Sequence, residues 1–482
     1  MRLRTHSTTP SLVALLALLL GAASGWSGCA EEFEIPDGPF YRYGYALVHA
    51  GSIASQANAM VRTPEGKLVT VGFTESAGTV SGQDMLLARF LPDGELDASF
   101  GSAGLAVFDF GSGTEPGEEA HDFATALALL PDGGLVVAGY TERPATGERL
   151  AFISRHLADG SLDTSFDGSA GTFFQPGVLL LDLSERASEG TYAGEPSELH
   201  ALAYHEEDGV SLVYAAGYAT ADTNASGTPS RELAVVKVTL EGDLVDGDAV
   251  TELPEFGEGG LRTVHVQEVN GAQSDDEAFA LVLQPTGGAS APRVVAGGRS
   301  VLGGASDSLV VALDASGTVE ETWLHDFGGN DDVRALALQP ATQNGMPPAV
   351  LLGGTAQPVG GSGDLLVARL EPSLDALDES FANDGFRTLD FAGENDEGRA
   401  LAVDAAGRIL LAGTRQQESG ITDMVVYRMT PEGTEPQMLW RRFAGASDLG
   451  RAVLADGHGN IFIAGAAHEG GLDAVGIARI IP

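Results

Sequence analysis

An all-β fold is predicted for these 482 residues: a seven-bladed β-propeller of four-stranded antiparallel blades, its ring closed by the N-terminal strand. Three observations predict it. A short apolar strand ending in glycine recurs seven times. Each recurrence brings three further strand-like segments with it. The chain has a spare strand at its start and lacks one at its end.

The recurring strand is seen best in Pro131-Asp132-Gly133-Gly134-Leu135-Val136-Val137-Ala138-Gly139, a tight turn feeding an apolar run. Its closing glycine recurs as Gly72, Gly139, Gly217, Gly297, Gly354, Gly413 and Gly465, 52 to 80 residues apart, a period that suits propeller blades with elaborated loops. Apolar on both faces, these strands suit burial between neighbouring sheets. A small-residue segment such as Ala124-Thr125-Ala126-Leu127-Ala128-Leu129 precedes each one and fits a crowded central axis. After it comes a strand ending in a base, as in Met85-Leu86-Leu87-Ala88-Arg89. A fourth segment, such as Trp323-Leu324-His325-Asp326-Phe327, completes the unit. Gly44–His49 reads as a fourth-type strand with no blade of its own, and Val475–Ile480 as a third-type strand with no outer neighbour. Pairing the two closes the ring and hides both edges, giving a propeller over 44–482.

Residues 1–28 read as a targeting segment rather than as part of the fold. Arg2 and Arg4 precede a hydrophobic core, Leu12–Leu20, too short to span a bilayer comfortably. Small residues then lead to Cys29, the sole cysteine. The arrangement resembles a bacterial lipoprotein signal, which would make Cys29 the lipidated first residue of the mature chain, although Trp26 stands where leucine is usual. The alternative is a plain secretory signal. In either case no disulfide can form within the chain. Ala30 in place of aspartate gives no inner-membrane retention signal, so the expected location is the cell envelope, as an outer-membrane lipoprotein or a secreted protein. Residues 29–43 read as lipidated cysteine and acidic tether.

Between units runs Asp93-Gly94-Glu95-Leu96-Asp97-Ala98-Ser99-Phe100-Gly101, returning as Asp159-Gly160-Ser161-Leu162-Asp163-Thr164-Ser165-Phe166 and, degraded, as Leu377-Asp378-Glu379-Ser380-Phe381. Asp-Gly sets a tight turn, Asp and Ser can bond nearby amides, and Phe can wedge between blades. With the Pro-Asp-Gly turn and the apolar strand, the phrase resembles the delta-60 repeat family of bacterial exported proteins. That resemblance implies a propeller-like β repeat on a secreted or surface protein and brings no catalytic residues with it.

Acids recur in two registers. Asp122, Asp276, Asp331, Asp396 and Asp448 each stand four residues before the same alanine of the small-residue strand. Asp84, Glu232, Asp364 and Asp423 each stand five residues before the strand-ending base. The sharper reading of these acids is a ring of Ca²⁺ sites at one mouth of the propeller; the plainer one is a turn carboxylate repeated with its turn. No Asp-x-Asp-x-Asp-Gly pattern occurs. The bases Arg89, Arg155, Lys237, Arg369, Arg428 and Arg479 form a third register, with Leu313 the exception. They are expected to pair with these acids or to line a groove for an anionic partner.

No Gly-x-Ser-x-Gly elbow, His-Glu-x-x-His or phosphate-binding loop is present. The net charge of −42 argues against nucleic acid and anionic membrane surfaces as partners. The function expected is a monomeric, non-catalytic binding or scaffolding module for a protein or glycan, without a cofactor. The longest insertions, 181–197, 219–231 and 246–260, are expected to form the partner face. The alternatives are an envelope hydrolase or lyase with acids at the central mouth, and a Ca²⁺-dependent adhesin.

Overall fold

The structure, a computed structural model, describes residue 40 and residues 44–481 except 52, 76–81, 111–119, 144–146, 168–171, 188–194, 222–228, 247–252, 270–271, 287–290, 341–345, 392 and 441–446. The signal segment and Cys29 lie outside the described residues.

Seven antiparallel sheets stand around one axis, as predicted, and each inner strand packs against those of the blades on either side. From axis to rim, blade 1 is Ala54–Arg62, Leu68–Glu75, Gln83–Phe90 and Leu105–Phe108. The inner strands of blades 2 to 7 are His121–Leu129, Glu198–Glu207, Asp275–Gln284, Gly329–Gln339, Asp396–Val403 and Leu449–Ala455. Blade 2 carries a fifth strand, Thr172–Gln175, outside its fourth, Val178–Leu181. A short helix, Leu183–Ala187, and a two-residue hairpin, Glu268–Val269 with Ala272–Gln273, decorate blades 2 to 4.

The ring closes inside blade 7. Tyr45–Val48 pairs antiparallel with Leu472–Ile480, Tyr45 opposite Ala478 and Val48 opposite Val475. Second and third strands are buried on both faces, as in Leu135–Ala138 and Ala151–Ile153, and form seven apolar clusters between blades.

The repeated glycine has a specific cause. In every blade the inner strand slips its register by one residue, leaving one residue unpaired between Ala57/Ala59, Ala124/Ala126, Leu199/Ala201, Ala278/Ala280, Val333/Ala335, Gly398/Ala400 and Gly450/Ala452. This is a β-bulge, which bends the strand and re-aims a side chain. It drives the carbonyl of the residue two before the bulge onto the second strand. A Cβ on Gly72, Gly139, Gly217, Gly298, Gly354, Gly413 or Gly465 would overlap that oxygen. In blade 4 the matching glycine is therefore Gly298, not Gly297: Gly298 faces Ala278 across the bulge, while Gly297 abuts Val333 and Leu336 of blade 5.

The Asp-x-Ser-Phe phrase locks one blade to the next. Asp97 Oδ1 accepts the Ser99 amide at 3.0 Å and its hydroxyl at 2.6 Å, while Oδ2 meets Arg89 Nε at 2.8 Å. Arg89 lies 4.6 Å above the buried ring of Phe100, which seats on Gly160 in the Asp-Gly turn of blade 2; a Cβ there would stand 2.6 Å from the ring. Gly101 N–H adds a bond to Asp159 O at 2.8 Å. Phe381 repeats the arrangement on Gly433, and Phe40 on Gly94. Phe40, within the stretch read as tether, is buried against Phe462 and so belongs to the propeller core.

The expected pairing of the base register with the two acid registers is overturned. Arg89, Arg155 and Arg369 pair with Asp97, Asp163 and Asp378 of the phrase. Lys237, fully buried, pairs with Glu207 at 3.1 Å, and Arg428 and Arg479 reach the amides of Gln437 and Asn460. Five residues of extended strand, about 16 Å, separate each base from the acid of its own strand. The base ends at the face where the inter-blade phrase crosses.

Candidate functional site

The seven bulged residues converge on the axis. Asn58, Thr125, His200, Phe279, Arg334, Arg399 and Arg451, one per blade, line the central channel together with Gln56, Phe73, Phe123 and Tyr140. The cavity they enclose is about 410 Å³, within the range of small-molecule sites.

Chemically the ring divides into three sectors. Blade 1 supplies amides: Gln56 Nε2 donates to Asn58 Oδ1 at 2.6 Å, and Asn58 Nδ2 to Ala124 O at 2.9 Å. Blades 1 to 4 supply aromatic faces. Phe123 and Tyr140 stack at 5.0 Å and 30°, Phe73 meets Phe123 edge-on at 5.5 Å, and His200 lies 5.4 Å from Phe279. Blades 5 to 7 supply three guanidinium groups, and Arg334 stands 3.9 Å from the Phe279 centroid, a cation–π contact.

The sequence two residues before each bulge decides how these cations are compensated. Arg334 pairs with Asp332 at 2.6 Å and Arg399 with Glu397. Blade 7 has Leu449 there, and Arg451 has no hydrogen-bond or ion-pair partner among the described residues. Burial, with Arg399 and Arg334 beside it, presses Arg451 down to about 10. A cation held this way favours an incoming anion. Elsewhere around the channel the acids are matched: Glu198 meets Arg149 at 2.6 Å and Tyr218 Oη at 2.8 Å, and Glu277 meets Arg231 and, at 2.9 Å, Arg299. Burial opposes ionisation of Glu277, but Arg299 and Arg231 override it and hold its carboxyl low.

A second cavity, about 480 Å³, shares Arg334 and Arg399 with the channel and is lined also by Asp331, Asp332, Asp396 and Glu397. Here lie two of the five sequence-predicted acids. All five, Asp122, Asp276, Asp331, Asp396 and Asp448, are buried three residues before a bulge, one per blade. The structure places them around the ring rather than bringing them together. In four of them one oxygen accepts the amide that ends the incoming segment: Phe110 to Asp122 at 2.7 Å, Val266 to Asp276 at 2.8 Å, Phe327 to Asp331 at 2.5 Å and Phe391 to Asp396 at 2.8 Å. Asp331 and Asp396 accept a second amide, from Gln357 at 3.2 Å and Gln416 at 3.1 Å.

Three of the five meet the other acid register: Asp122 meets Asp84, Asp276 meets Glu232 and Asp396 meets Asp364. Asp84 and Asp109 join Asp122 with ligand atoms within 4.8 Å of one another. Burial raises Asp122 to about 7, with Asp109 and Asp84 adding to the shift. In blade 5, burial raises Asp331 to about 6, helped by Asp326 and Asp307; in blade 6, it raises Asp396 to about 7, helped by Asp390 and Asp364. Three carboxylates offer hard-cation donors, but Ca²⁺ takes six to eight oxygens, and the Asp122 Oδ2 already accepts an amide.

These shifts set a pH dependence. Between pH 4 and 7 Asp122, Asp331 and Asp396 keep protons that the unfolded chain releases, so the stability these three contribute is lost as pH rises to 7, while His156, which burial lowers to about 4, opposes that slope below pH 6.5. The stability that Asp122 contributes is expected to be larger at pH 5 than at pH 8. Asp122→Asn should remove part of that slope and raise the melting temperature at pH 8 by about one to three degrees, on the scaling expected for this length. Millimolar calcium at pH 8 recovers the lost stability if Asp84, Asp109 and Asp122 hold it, and leaves the melt unchanged if they act only as turn acceptors.

With the geometry in hand, comparison with known proteins bears on the fold. A family described as a β-propeller domain of unknown function, DUF5122, matches residues 63–100 and 130–166, the stretches that carry the turn, strand and inter-blade phrase of blades 1 and 2. These two stretches thus resemble the repeat of a β-propeller family. No curated protein matches. Among solved structures, the polysaccharide lyase Uly1 is similar at 11% identity and TM-score 0.45, covering 89% of this chain and 90% of that one. Sqt1 from Chaetomium thermophilum is similar at 14% and 0.40, covering 91% and 98%. Trypanosoma rangeli sialidase is similar at 9% and 0.41, covering 89% of this chain and 55% of its own. At these scores the likeness says nothing of ligand or activity.

Proposed function

We propose that this protein is an exported envelope propeller of the delta-60 type, monomeric and anchored through lipid on Cys29, and that it works as a non-catalytic binding module for an anionic ligand. The observation that carries the ligand's charge is Arg451: in a chain of net charge −42, three arginines share one arc of the channel and two acids compensate them. A carboxylate, sulfate or phosphate group supplies the missing charge, and guanidinium groups bind such groups in bidentate fashion.

The acids support the non-catalytic reading over a hydrolase or lyase. General acid–base work needs a carboxyl free to exchange a proton with substrate. Asp331 and Asp396, raised and beside a cavity, each spend both oxygens on backbone amides, and the channel acids are each paired with arginine.

Calorimetry with citrate and sulfate at low ionic strength tests the binding. The mature chain is expected to bind citrate despite its overall charge, and Arg451→Gln to weaken it at least tenfold, the effect of losing one charge-assisted contact of about 1.5–3 kcal/mol. Because Arg451 has no hydrogen-bond or ion-pair partner among the described residues, the variant should keep its melting temperature. Absence of citrate and sulfate binding by the unaltered chain would overturn the proposal.

The anchor is tested separately. Cys29→Ala in the full-length chain is expected to abolish incorporation of a labelled fatty acid and move the protein from the membrane fraction to the soluble one. Continued membrane association would point to a different attachment.

A further inference from the structure

We infer that the channel ligand is a carboxylated sugar, a uronic acid alone or at the end of a glycan; this deepens, and rests on, the anion-binding reading above. The three sectors of the ring are the argument. A bare inorganic anion would use only Arg334, Arg399 and Arg451, leaving the Phe123–Tyr140 stack and the blade 1 amides unfilled. An apolar carboxylic acid would use arginines and aromatics but bring nothing to Gln56 and Asn58, whereas Thr125 already donates to Leu199 O at 2.6 Å, and a polar group left without a partner penalises such a ligand.

A uronic acid meets all three. Its carboxylate faces the arginine arc, its C–H face can lie on an aromatic ring, and its hydroxyl edge faces the Gln56 and Asn58 amides. Gln56 and Asn58 have capacity for this. The bonds described above use one Gln56 N–H, one Asn58 N–H and the Asn58 oxygen, leaving the Gln56 oxygen and one N–H on each amide for a ligand. The cavity of about 410 Å³ suits a ligand of this size rather than a threaded polymer.

The test is calorimetry of the mature chain with glucuronate and galacturonate, set against glucose, glucose 6-phosphate and acetate. One of the uronates is expected to bind at least tenfold more tightly than glucose and than acetate. Tyr140→Leu should weaken uronate binding at least fivefold and leave citrate binding within twofold, while Arg451→Gln weakens both. Glucose 6-phosphate or acetate binding as tightly as the uronates would leave an anion site and overturn the sugar acid. Glucose equal to the uronates would show that the carboxylate adds nothing and overturn this inference, while loss of citrate binding as well would overturn the anion-binding reading. No uronate binding, with citrate still bound, would overturn this inference alone.

Discussion

Replacing Gly139 by alanine is expected to destabilise the propeller by at least about 3 kcal/mol, at the upper end for single substitutions. The mechanism is steric. The bulge at Thr125 carries the Phe123 carbonyl onto the second strand of blade 2, and a methyl group at residue 139 would occupy the same space. Backbone cannot rotate away as a side chain can, so either the bulge straightens or the two strands separate. Straightening would pair Thr125 with the ladder and turn it from the channel, so any folded remnant should have an altered channel. Urea unfolding of Gly139→Ala beside Gly457→Ala, whose added methyl meets nothing within 4 Å, gives the comparison. The Gly457 variant should be near neutral. Equal stability of the two would show that the bulge does not require glycine.

Removing residues 38–50 is expected to have a similarly large effect by another route. Tyr45–Val48 supplies the outer strand of blade 7, and Phe40 supplies the ring that seats on Gly94 of blade 1. Without them the Leu472–Ile480 strand becomes a bare edge with Val475 and Ile477, now buried, in the strand that carries it. The truncated chain should form dimers or larger species on size-exclusion chromatography with light scattering, and adding the 38–50 peptide should return it to monomer by strand addition. A truncated chain that remains monomeric with an unchanged melt would mean that closure lies elsewhere.

The ring was legible in the sequence because its requirement is local: each blade needs one glycine under one carbonyl, and that glycine repeats visibly. The inter-blade phrase was legible for the same reason, since Asp97, Ser99 and Phe100 act within a few residues of each other. The channel was not. Its ring of bulged residues takes one from each blade, and Asn58, Thr125, His200, Phe279, Arg334, Arg399 and Arg451 have no side-chain chemistry common to all seven, so no repeated motif marks them. Their position was nonetheless available, three residues after the aspartates and directly before the repeated alanine. Reading that column across the blades would have shown the three arginines. The base register misled because chain proximity suggested partners that an extended strand holds apart, and the shift from Gly297 to Gly298 was hidden by a Gly-Gly pair that offers either residue as the closing glycine.

Closure within blade 7 also dictates an order of events. Tyr45–Val48 is among the first parts of the propeller to be synthesised, yet the strand it pairs with is the last, and the contact spans nearly the whole chain. Contacts this distant in sequence form slowly. Until the final strand arrives, Tyr45–Val48 has no sheet to join. The folding rate of this protein should therefore be governed by the meeting of its two ends, and a circularly permuted chain opened between blades, with Tyr45–Val48 joined directly to Ile480, should fold faster to the same ring.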